Sequence, residues 1–98
     1  MSRPKVERRL SDVAKRLTQL RDDLRVAEEQ HRHFADDAED ARLRAIVSEN
    51  PMAERDHRAA QRHADASDRH RADLVAEIAR LERTQDELLD RLLETMED

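Results

Sequence analysis

One residue pair interrupts an otherwise unbroken helical pattern. Asn50-Pro51 lies near the middle of 98 residues that contain no glycine and only one other proline, Pro4. Proline clashes with the helical turn before it and has no N–H to donate, so a helix arriving from the N-terminal side has to stop there. The residue before proline is pushed out of helical geometry as well. The same pair makes a good helix start, with Asn50 as N-cap and Pro51 in the first turn, although Ser48 is a rival cap. The spacing predicts one helix over about 4–48, a turn over 48–51 and a second helix over about 51–95, all in one domain covering 1–98.

Both segments carry a heptad seam. In the first, Val6, Leu10, Val13, Leu17, Leu20, Leu24, Ala27, His31, Phe34, Ala38, Ala41 and Ala45 follow one another at steps of four and three. In the second the seam is Ala53, His57, Ala60, Ala64, Ser67, Arg71, Leu74, Ile78, Leu81, Gln85, Leu88, Leu92 and Thr95. Such spacing keeps one stripe of each helix facing a partner helix. Folding the chain about Glu49 layers Val6 with Leu92, Leu10 with Leu88, Leu17 with Leu81, Leu20 with Ile78 and Leu24 with Leu74. Nearer the turn the layers become Ala27–Arg71, His31–Ser67, Phe34–Ala64, Ala38–Ala60, Ala41–His57 and Ala45–Ala53. Large residues meet large ones and small meet small. The expected fold is therefore all-α: two long helices forming an antiparallel coiled-coil hairpin. The leucine half near the termini should be the stable one, and the alanine half near the turn the more dynamic.

Composition supports this reading and excludes others. Aromatic residues make up 1%, too few for an ordinary globular core. Charged residues make up 44%, a density that also occurs in disordered chains, but the sustained heptads favour long helices. A net charge of −5 argues against binding to a phosphate backbone. With no cysteine, disulfides and thiolate zinc sites are ruled out. No apolar run is long enough to span a membrane and no signal peptide is visible, so a cytoplasmic location is expected. The excess of arginine over lysine, with frequent alanine and aspartate, fits a high-GC bacterial genome. Residues 1–25 carry Arg3, Lys5, Arg8, Arg9, Lys15, Arg16, Arg21 and Arg25 against four acids, while the end from Asp86 is acidic except for Arg91. A hairpin sets these oppositely charged ends side by side.

Some apolar residues fall off the seam. Val75, Leu89, Leu93 and Met96 lie on an adjacent face of the second helix, and Leu43, Ile46, Val47 and Met52 cluster with Glu49 at the turn. They either widen the core stripe or form two contact surfaces. A two-helix hairpin has little core, so a homodimer, as a four-helix bundle, is expected, together with contact to another protein at the turn.

Signs of chemistry are sparse. His31, His63 and His70, with Asp37 or Asp65, could bind zinc or nickel or act as a pH switch; the simpler reading is that they are solvated or half-buried polar residues. Arg71 and Gln85 stand at seam positions where leucine is expected, a common device for fixing register. Asp36, Asp37, Glu39 and Asp40 read most simply as a solvated face. No nucleophile arrangement or phosphate loop is present, so no catalytic residue and no cofactor is assigned. Ser48-Glu49-Asn50, followed by Arg58-Ala59-Ala60, resembles the hairpin tip of Gre-type transcript cleavage factors, whose acidic tip assists a metal inside RNA polymerase. Glu49 matches a tip acid, but Ile46 and Val47 replace glycine and aspartate and three residues are extra after Asn50, so the chain is not assigned to that family. Three functions remain, in this order: a non-enzymatic interaction or scaffold module, a small regulator that inserts its tip into a larger machine such as RNA polymerase or the ribosome, and a histidine-based metal or pH sensor.

Overall fold

A computed structural model describes residues 2–97 and shows a two-helix hairpin, with α1 over Arg3–Ser48 and α2 over Pro51–Glu97. Helix α1 starts one residue earlier than expected, and α2 runs two residues past Thr95. The described residues include no strand. Neither helix contains glycine, and the residues that fill them are mostly good helix formers. Local pairs support the exposed faces: Arg3 Nε donates to Glu7 at 2.9 Å, Gln19 to Asp23 at 2.9 Å and Gln61 to Asp65 at 2.9 Å. Pairs of this kind add about 0.2–0.5 kcal/mol each, so helix length depends mainly on the seam.

Every seam residue of both helices is buried or half-buried. Two contacts fix the layering directly. His31 Nδ1 lies 3.1 Å from Ser67 Oγ, as the fold about Glu49 requires, and Phe34 stacks on His63, the residue next to its expected layer partner Ala64. Ion pairs flank the seam at Arg16–Glu77, 3.3 Å, and Arg21–Glu82, 3.7 Å.

The chain divides into two compact units. A terminal unit joins α1 through Asp23 to α2 from Leu74, and a turn unit covers Leu24–Asp73. Their cores differ in kind. The buried hydrophobic residues of the terminal unit are Val6, Leu17, Leu20, Leu74, Ile78 and Leu88; those of the turn unit are Ala27, Ala38, Ala41, Ala45 and Ala64. Exchanging a buried leucine for alanine forgoes about 2 kcal/mol of burial, so the turn unit has much the weaker hydrophobic drive. No polar or charged side chain is buried among the described residues.

The reversal takes two residues. Asn50, not its rival Ser48, caps α2: its Oδ1 accepts the Met52 N–H at 2.9 Å, and its carbonyl accepts the Glu54 N–H at 3.2 Å. Ser48 is the last residue of α1. Glu49 takes a left-handed backbone conformation with φ of 51°, the geometry that glycine usually supplies after a helix. For a residue with a Cβ this costs about 1–2 kcal/mol.

Four expected outcomes follow from this fold. Leu17→Ala should destabilise by about 2–5 kcal/mol, read by circular-dichroism melting. Asn50→Ala should cost about 1 kcal/mol, whereas Glu49→Gly should raise the melting temperature by a few degrees, less than the full strain because glycine also loosens the unfolded chain. In hydrogen exchange, amides of the turn unit should exchange faster than those of the terminal unit; equal protection would contradict the division of the core.

Candidate interaction surfaces

Two groups of side chains stand outside the seam, and a third, polar group lies on and beside it. The first surrounds the turn. Leu43, Ile46, Val47 and Met52 point away from the buried alanines Ala41 and Ala45, and Val47 is the most exposed at 82%. Leu43, Val47, Met52 and Ala53 wall a mainly apolar surface cavity of about 480 Å³, with Arg44 and Asp56 as its charged residues. Ile46 and Glu49 do not line it.

The second group lies on α2 in the terminal unit. Val75, Leu89, Leu93 and Met96 are 44–59% exposed. Each follows a seam residue by one position, so the helix turns it aside from α1. On α1 in the turn unit, Val26 is also exposed, at 56%, one position before the seam residue Ala27, and lines a shallow cavity of about 510 Å³ with Phe34 and His33. The sequence reading missed Val26, although the rule that marked Val75 applies equally to it.

The third group is the polar cluster of the turn unit. Ser67 Oγ donates to the Ala64 carbonyl at 3.2 Å and lies 3.1 Å from His31 Nδ1. His31 Nε2 stands 3.8 Å from Asp68 Oδ1, and that same oxygen accepts from Arg71 Nη2 at 2.8 Å. The seam arginine thus turns to a carboxylate on its own helix, which is how a guanidinium fits a half-buried position. The Arg71 hydrogen bond holds the Asp68 carboxyl below its ordinary value. The Arg42 fork, at 2.9 and 2.6 Å, does the same for Glu39 and raises Arg42 in return.

The three candidate metal-binding histidines are placed differently from one another. His31 is half-buried, His63 is exposed and stacks on Phe34 with ring centroids 5.8 Å apart, and His70 is exposed. His33 meets the edge of Phe34 at 6.2 Å, so the one aromatic ring sits between two imidazoles. Among the described residues, no three His, Cys, Asp or Glu side chains are grouped so that they could hold a metal ion. Nor is any helix among them long and apolar enough to cross a membrane.

No protein-family model matches the chain, and no curated protein or solved structure matches it significantly. The class is therefore defined by the fold alone, an all-α two-helix hairpin.

The lowered carboxyls predict an acid limit. A carboxyl whose folded pKa is depressed adds stability above its unfolded value, and that stability is lost as pH falls through the folded value. The contributions of Asp68 and Glu39 should therefore be complete at neutral pH and disappear below their ordinary values of 3.8 and 4.5. Asp68→Asn should flatten part of the acid limb of a melting-temperature profile. Because both groups are exposed, added salt should reduce the effect.

Proposed function

We propose that this protein is a non-enzymatic coiled-coil interaction module. It self-associates as a homodimer through the aliphatic face of α2 and offers the turn to another protein, in the cytoplasm, where a chain without cysteine needs no oxidising environment. One observation carries this reading: the seam is buried or half-buried throughout, yet the off-seam aliphatics stay exposed in coherent groups, four of them along α2 and four around the turn. Grouped exposed aliphatics of this kind mark contact surfaces.

Sedimentation equilibrium tests it. The wild type should associate at micromolar concentration, and Leu89→Glu with Leu93→Glu should shift it to monomer by at least tenfold in dissociation constant, with helix content unchanged. A wild-type monomer across the whole range would remove the self-association half of the proposal.

The apolar cavity at the turn favours a second reading, in which the tip enters a cleft of a larger machine such as RNA polymerase or the ribosome. Ile46→Asp with Val47→Asp should then abolish co-purification with that machine and leave self-association intact. If every captured partner survives the tip change, insertion is excluded.

A further inference from the structure

The exposed face of α2 is itself periodic. Val75, Ala79, Glu82, Asp86, Leu89, Leu93 and Met96 step along the helix by alternating four and three residues. This is a second heptad stripe beside the seam, apolar at both ends and acidic in the middle. We infer that two copies of the chain pair antiparallel along this stripe, centred between Glu82 and Asp86, with Val75 against Leu93 of the other copy and Ala79 against its Leu89. The inference rests on the reading of the chain as a self-associating module and supplies its register.

The antiparallel register keeps apolar layers facing apolar layers, with Val75 on Leu93 and Ala79 on Leu89, and leaves the acidic positions together at the centre.

Charge complementarity gives independent support, and the hairpin itself supplies the geometry. Across their own seam, Arg21 and Glu82 each follow a seam residue, Leu20 and Leu81, and their side chains meet at 3.7 Å. The equivalent flanking positions in the proposed pairing are Arg83, which follows Glu82, and Asp90, which follows Leu89. They carry opposite charges, and two-fold symmetry forms the pair twice. The middle layers bring Glu82 and Asp86 from each copy, and each copy also brings Arg21, beside Glu82, and Arg83. With Asp90 included, each copy brings three acids and two arginines there, so the arginines offset most of the acidic charge. A polar centre between apolar ends gives up affinity and fixes register.

The chain lacks cysteine, so an introduced thiol is its only one. An equimolar mixture of V75C and L93C variants should form a disulfide-linked heterodimer under mild oxidation, because facing core positions bring Cβ atoms within bonding reach. Each variant alone should link poorly. Arg83→Glu or Asp90→Arg alone should weaken the dimer about threefold to tenfold, more at low salt, and the combined exchange should restore it. Circular dichroism on every variant checks that the exposed substitutions leave the hairpin folded. If L93C links to itself more readily than to V75C, or the charge exchange fails to restore affinity, the register is wrong and self-association stands. A wild type that is monomeric throughout, with V75C and L93C failing to link to each other, overturns both.

Discussion

The register between α1 and α2 governs everything else in this molecule, and a two-residue reversal sets it. Asn50 begins α2 with its own side chain on the Met52 amide, and Glu49 accepts a left-handed backbone to let α1 end at Ser48. From that point each layer is decided by counting. Helical side chains turn by about 100° per residue, so a slip of one position would carry Leu17, Leu20, Ile78 and Leu88 out of the core and bring charged neighbours in. Here a weak local preference and a strong packing preference agree, which is what lets a chain so rich in charge choose one fold.

The two units divide the work. The terminal unit holds the large aliphatic core and also displays the second stripe on α2, so those exposed aliphatics stand on firm support. The turn unit has an alanine core, a ring between two imidazoles, a polar cluster around Asp68 and an apolar cavity beside the reversal. Alanine lets backbones approach closely but buries little area. A surface built on such a core can adapt to a partner more readily than one built on leucine.

Much of this was legible from periodicity. Seam positions repeat over many turns, so occasional substitutions such as Arg71 or Gln85 do not obscure the phase, and the His31–Ser67 layer follows from counting alone. The exposed aliphatics were legible by subtraction, being whatever apolar residues the seam left over. Details set by side-chain rotamers were not. Arg71 reaching Asp68, and His63 lying over Phe34, depend on which way a side chain swings at a position whose neighbours are known. The strain at Glu49 was hidden for another reason: a chain without glycine gives no residue-level sign of where a left-handed turn will fall. The cavity at the turn depends on how Leu43, Val47 and Met52 splay, which spacing alone does not describe.

Facing seams also govern how such a chain can change in length. A residue added to one helix alone would rotate every later layer out of phase. Seven added to one helix alone would keep its stripe in line but shift every partner along the other. The hairpin can grow or shrink only by matched heptads, one in each helix at the same level. Relatives of this chain, where they differ in size, should therefore differ by paired blocks of seven placed symmetrically about Glu49 and Asn50, with the reversal itself left alone.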